Sequence, residues 1–576
     1  MRSFDTDSSV EVIDERGRRA HRGASAHTQR LARRFYAVRP GVWSFVGNGL
    51  SNQNFIEGPD GIIVIDTGES VEEMNAALAE LRRHTDAPLA AVLYTHFHYV
   101  GGTQAVLKQA GAPIPILGHE RIPANLARVT SEIGPAYAAG LTHQFGLRLP
   151  EDGPDGLVNE GLGLFFRAPD HAPYTPGFVP PTVGLRGGER LQVAGLTVEV
   201  THAPSDADDS VTFWFPELSV CVQNLVWPTL FNVFAIRGEA YRDPQVLLQG
   251  LDHLIGLKPE YMLGAHGPPL SGRDAIALRT TRYRDSIQFL WDQTVRGMNR
   301  GLTADQMAHA IRLPAVFEED YLTSEYYGVA EHHVRQIAAG VRGWFDGDTA
   351  RLFPLEPAER ATRLVAALGG AAEVRKQTAE AQAAGDLRWA LELASWLAAR
   401  PDAETVDRVL LAGILRDVAA RTTAMNIRNW CLTRARDLDG STDLSRLREH
   451  RLRAHQLAAM SPREALHILR VMLDPDRAAG IDHHIGFQFP DAPAAGLHVR
   501  NGVSVATDGA GAESTISISW EDLRRVLAGT VTFGGLLEGR AAVIRGAAAT
   551  VLEVLASFDA PGLRKPPGDG SRPSGR

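Results

Sequence analysis

Ala90-Ala91-Val92-Leu93-Tyr94-Thr95-His96-Phe97-His98-Tyr99-Val100-Gly101-Gly102 joins a short apolar run to two histidines and a glycine pair. The run from Ala90 to Thr95 reads as a buried β-strand. Histidines two residues apart, directly after a strand, project to the same side of its end. Neutral imidazole is a common ligand of zinc and iron. The paired glycines allow a tight turn into the helical pattern that follows, from Gly102 to Gly111. Two such histidines on their own could equally be surface or core residues. The sequence strand, His-x-His, Gly-Gly, helix points to a metal.

Outward from this stretch the chain repeats the same alternation. Val42–Val46 and Gly61–Asp66 are short β-branched runs, Val71 to Thr85 has helical period, and strands resume at Leu191–Val200, Val211–Phe215 and Ser219–Gln223. Strand alternating with helix predicts an α/β layer structure. Three further segments sit at strand ends, where such sheets bind ligands. They are Thr201-His202-Ala203-Pro204-Ser205-Asp206, with Asp208 and Asp209 as weaker candidates, then Gln223-Asn224, and Leu263-Gly264-Ala265-His266-Gly267. Each could be an ordinary polar loop. Their shared position makes Asp206 and His266 candidate partners of His96 and His98.

At 576 residues the chain exceeds one hydrophobic core and predicts roughly three or four domains. The net charge of −9 with no basic patch argues against a nucleic-acid partner. Two cysteines, Cys221 and Cys431, cannot form a disulfide framework and read as unrelated buried thiols. The first residues carry no apolar signal-peptide run, and no stretch is apolar for long enough to span a bilayer, so the expected location is cytoplasmic. The expected organisation is a disordered or extended leader at 1–34, an α/β domain at 35–274, a helical domain at 275–445, an α+β domain at 446–560 and a disordered tail at 561–576. In the α+β domain, His484–Phe489, Leu497–Arg500 and Thr515–Trp520 are the expected strands.

This layout resembles the metallo-β-lactamase superfamily, and most closely the alkylsulfatases with a dimerisation domain and a sterol-carrier-like C-terminal domain. The resemblance rests on Leu50–Gly58, Ile65-Asp66-Thr67-Gly68, Val158–Gly163, Phe231-Asn232-Val233-Phe234-Ala235-Ile236-Arg237-Gly238, and Tyr326-Tyr327-Gly328 through Gly343-Trp344-Phe345-Asp346-Gly347. It implies an αββα sandwich, an all-α dimerisation domain and a homodimer. It also implies hydrolysis of an alkyl sulfate, a small anionic amphiphile, through a metal-activated water. His96, His98, Asp206 and His266 would be ligands, with Asp206 and His266 also catalytic, Arg237 would clamp the sulfate, and Asn232 would be a neutral donor. The apolar positions Ile485, Phe487, Phe489, Trp520, Phe533 and Leu536 would line a tunnel for an aliphatic tail, or fill that domain's own core.

The chain departs from the family at the metal. The family motif THxHxDHxGG is here Thr95-His96-Phe97-His98-Tyr99-Val100-Gly101-Gly102, shorter by two residues and lacking the Asp and second His. The bridging Glu corresponds to Gln223, and the His of the family's HNL segment is Phe231. One zinc per chain is therefore expected rather than two. Two His and one carboxylate also suit non-haem iron. This leaves two alternatives to the hydrolase: a mononuclear, possibly iron, enzyme of different reaction, and a non-catalytic amphiphile-binding homologue.

Overall fold

The computed structural model describes residues 3–4, 7–448, 452–458 and 460–564, and they form two compact units, one of Met1–Leu126 with Gly140–Asp443, the other of Ala127–Ala139 with Leu444–Arg576.

The first unit is built on two sheets. The seven-stranded sheet runs in chain order through Arg34–Arg39, Val42–Val46, Gln53–Gly58, Gly61–Ile65, Leu89–Leu93, Ile116–His119 and Val183–Leu185. Its first four strands are antiparallel and its last four parallel. The six-stranded sheet runs Arg190–Val193, Leu196–His202, Val211–Phe215, Val220–Gln223, Tyr261–Gly264 and Leu270–Ser271. Between the sheets, Ile56, Ile63, Ile65, Ala91 and Leu93 of one meet Val198, Val200, Phe213, Phe215 and Val222 of the other in one buried cluster. Residues two apart on a strand share a face, which is why Ile63 and Ile65 fall in this layer together.

The helix Val71–Leu81 follows its own pattern. Ser70 caps it by accepting from Glu73 N, and Met74, Ala77, Leu78 and Leu81 are buried at helical spacing. Further on, the unit turns helical, from the 27-residue Arg273–Asn299 through Ala330–Arg342 to Met425–Leu438.

Residues 1–34, expected as a disordered or extended leader, instead carry a small hairpin, Glu11–Ile13 with Arg19–His21, and the helix Arg22–Leu31. The helix buries Ala24, His27 and Leu31. That stripe is narrow and set in polar sequence, so composition alone concealed it.

The second unit has a five-stranded sheet in the order Val503–Thr507, Ala495–Arg500, Asp482–Gln488, Ser514–Ser517, Val543–Arg545. Trp520, expected at the end of a strand, opens the helix Trp520–Leu527 because Ser519 caps it. Ile485, Phe487, Trp520 and Phe533 are buried in this unit's core, with Phe489 and Leu536 packed against it. Of the expected tail, 561–564 are described and 565–576 lie outside the described residues.

Among the described residues, no helix is long and apolar enough to cross a membrane.

Candidate metal centre

Four strand ends lead into buried polar residues. Gly61–Ile65 leads into Asp66, Leu89–Leu93 into His96, Leu196–His202 into Asp206, and Tyr261–Gly264 into His266. Nitrogens of His96 and His98 and an oxygen of Asp206 all lie within 4.8 Å of one another. His98 Nδ1 stands 3.1 Å from Asp206 Oδ2, and His96 Nε2 stands 3.8 Å from the same oxygen.

His96 is fully buried and its tautomer is set by its neighbours. Thr95 Oγ1 donates to Asp66 Oδ2 at 2.7 Å, so towards His96 it can only accept, from Nδ1–H at 2.8 Å. Nε2 is left with its lone pair facing the site, buried and without a hydrogen-bond partner. Burial pushes this imidazole down to about 3, so it is neutral. A dry, bare imidazole nitrogen beside a carboxylate has the chemistry of a metal ligand. Burial would raise Asp206, but His96 and His98 outweigh it and hold the carboxyl well below its usual range. Its other oxygen accepts from Asn224 Nδ2 at 2.6 Å. The three residues therefore fit one divalent cation.

His266 stands apart from this trio. Its Nδ1 lies 3.1 Å from Leu50 O, which can only accept, so Nε2 accepts from the Tyr99 hydroxyl at 3.1 Å. Gln223 is also committed elsewhere: Oε1 accepts from Leu225 N and Val226 N, and Nε2 donates to Val226 O. Asp209 accepts from Phe97 N and Asn125, and Asp208 pairs with Arg121, so both fix the loops around the site. The groups that would hold a second cation are thus hydrogen-bonded to one another or to backbone.

Two arginines stand close to the trio. Arg237, nearly dry with a side chain 6% exposed, donates from Nη2 to Glu239 Oε2 at 3.0 Å and approaches His98 Nε2 at 3.3 Å. Arg242 was not among the sequence candidates. It is buried, its guanidinium lies 5.9 Å from the Trp227 ring centroid and 6.0 Å from that of Phe231, and Nη1 donates to Asn232 O. Its Nε and Nη2 have no hydrogen-bond partner, nor does the buried Asn232 Nδ2. Asp66, Thr95, Tyr99, Glu239 and Arg242 all shape the site without being among the predicted ligands or clamps. The charged string Arg237-Gly238-Glu239-Ala240-Tyr241-Arg242 was the available signal for two of them.

Three family descriptions match consecutive parts of the chain: metallo-beta-lactamase superfamily over 46–222, alkyl sulfatase dimerisation over 303–441, and alkyl sulfatase C-terminal over 452–564. The chain is similar to a linear primary-alkylsulfatase of Pseudomonas sp. (strain ATCC 19151), 34% identical over 471 residues, covering 79% of this chain and 88% of that protein. It is also similar to an (R)-specific secondary-alkylsulfatase of Pseudomonas sp, 27% identical over 486 residues, 81% of this chain and 72% of that one. Among solved structures, the stereoselective inverting sec-alkylsulfatase Pisa1 from Pseudomonas sp. superposes with a TM-score of 0.82 at 24% identity, covering 94% of this chain and 87% of that chain, a likeness of fold.

Proposed function

The chain belongs to the alkylsulfatase family of the metallo-β-lactamase superfamily, and from that premise we propose that it hydrolyses linear alkyl sulfates at a site holding one zinc ion. The observation that carries the reading is the bare, buried Nε2 of His96 converging with His98 and Asp206. These three residues would hold the cation, whose contribution is Lewis acidity that makes water a nucleophile near neutral pH. A single ion is favoured because Tyr99, His266 and Gln223 already satisfy one another or backbone where a second would need ligands.

The protein's own groups do the rest. Arg242 and Asn232 offer open, dry donors to the sulfate oxygens, and a guanidinium desolvated in this way binds an oxyanion strongly. Arg237 adds a second cation beside them. His266 takes up a proton at Nε2 through the Tyr99 hydroxyl and passes none on at Nδ1, which stays bonded to Leu50 O. Burial pulls His266 down to about 4, so it serves as a transient carrier and rests neutral.

We assign the homodimer contact to the helical region matched by the dimerisation family. There Trp344 is 68% exposed and Phe353 96% exposed, and large apolar groups so open to water suit a partner surface.

Elemental analysis of the purified protein, with sulfate release from dodecyl sulfate, tests the site. We expect one zinc per chain, sulfate release, and loss of both in His96→Ala. Two tightly held ions would remove the single-ion reading. One iron with oxygen consumption and no sulfate release would replace hydrolysis by redox chemistry, and absence of any metal would leave an amphiphile-binding protein.

A further inference from the structure

Arg237 and Glu239 are separated only by Gly238, whose φ of 84° turns the chain back on itself. The turn brings the Glu239 carboxylate onto the Arg237 guanidinium at 3.0 Å, in a loop without regular secondary structure. Both side chains are almost dry, 6% and 3% exposed. The same Glu239 oxygen lies 3.8 Å from His98 Nε2, and the other accepts from Ala240 N.

A carboxylate and a sulfate ester are both oxyanions and compete for the same guanidinium N–H groups. The site therefore has two unequal halves. Arg242 and Asn232 hold open donors. Arg237, of equal charge, already has an anion on it, supplied by the chain itself.

We propose that Glu239 is an internal counter-anion that occupies the Arg237 half of the sulfate subsite and so sets how tightly anionic substrates bind. Glu239 is a specificity-determining residue here: it acts through Arg237 and touches no reacting bond. Substrate sulfate binds first to the Arg242 half. Full engagement of Arg237 requires the Glu239 carboxylate to leave it for water, which the irregular loop permits. Esters that place less negative charge at this position are discriminated against less, because they need not displace the carboxylate. This inference rests on Arg237 facing the sulfate, the reading given above.

The test uses inorganic sulfate as the probe, titrated calorimetrically into the full-length, metal-loaded protein, with zinc content and thermal unfolding measured on every variant. In Glu239→Gln, sulfate should bind at least about tenfold tighter, the low end of what relief of a close like-charge contact gives. The KM for dodecyl sulfate should fall by a similar factor with kcat changed less. Glu239→Ala should behave in the same direction, which guards against a Gln side chain that keeps the Arg237 bond. On an Arg237→Ala background the gain should vanish. Unchanged or weaker sulfate binding in both Glu239 variants overturns the proposal. So does loss of zinc in them, which would make Glu239 a support for His98. Should Arg237→Ala itself leave sulfate affinity untouched, the clamp reading of Arg237 falls and takes this inference with it; if Arg237→Ala weakens sulfate while the Glu239 variants do not strengthen it, only the inference falls.

Discussion

His27 shows how one buried side chain couples this fold to pH. Its ring stacks on Tyr326 at 4.2 Å and its Nε2–H donates to Gly161 O at 2.8 Å, while Nδ1 is buried without a partner. Protonating Nδ1 would place a cation in a dry pocket, and burial pulls the imidazole down to about 4 from 6.5. The folded protein then resists a proton that the unfolded chain accepts. Stability from this residue is complete above about pH 6.5 and is lost as pH falls towards 4. Between pH 7.5 and pH 5 the loss is about 2 kcal/mol. Urea unfolding at those two pH values should show a smaller difference in His27→Gln than in the parent, and an equal difference would clear His27 of this role. At the same scale, His96, His98 and Asp206 could be read from sequence because each lies in the short segment that leaves a strand end. Arg242 and Glu239 left only the run of charges over 237–242 as a trace. What singles them out is desolvation of Arg242 and the contact of Glu239 with Arg237 within one irregular loop, and neither property has a sequence period.

The element that matters most is the turn from Leu93 into the helix Thr103–Ala110. Phe97–Tyr99 forms a single tight helical turn, so His98 comes round to face Asp206, and the glycine pair lets the next helix press against the loop after Ile65. A Cβ at Gly102 would collide with Thr67 O and Met74 Cβ, and one at Gly101 with Glu69 O. Backbone atoms there have little room to give way. Gly102→Ala should cost about 1–3 kcal/mol, the usual scale of overpacking. It should also lower zinc content, because it displaces the turn carrying His98. Thermal unfolding and metal analysis on the same sample check this, and a variant with native melting and full zinc would show that the turn adapts. The strands flanking this turn were legible as apolar β-branched runs. The helix Arg22–Leu31 was not, because its three buried positions sit among exposed polar residues. Trp520 was misplaced for a different reason: an aromatic favours strands by propensity, but the cap from Ser519 starts a helix there.

At the scale of the molecule, the resemblance over nearly the whole chain carried the order of parts, whereas physical periodicity alone gave only α/β followed by helices and a mixed α+β segment. The exposed Trp344 and Phe353 set the test of assembly. Trp344→Glu with Phe353→Glu should convert a dimer into a monomer by light scattering at micromolar concentration, with zinc retained. A parent protein that is already monomeric would end the dimer assignment. Arg242 has a broader consequence. Its guanidinium is stripped of water and only partly satisfied, and an incompletely paired buried charge weakens the fold that holds it. Anything that completes its bonds returns that stability. If Arg242 receives the sulfate group as proposed above, the liberated inorganic fragment completes the same bonds as the ester did, so added inorganic sulfate should compete with the starting compound and slow each new cycle.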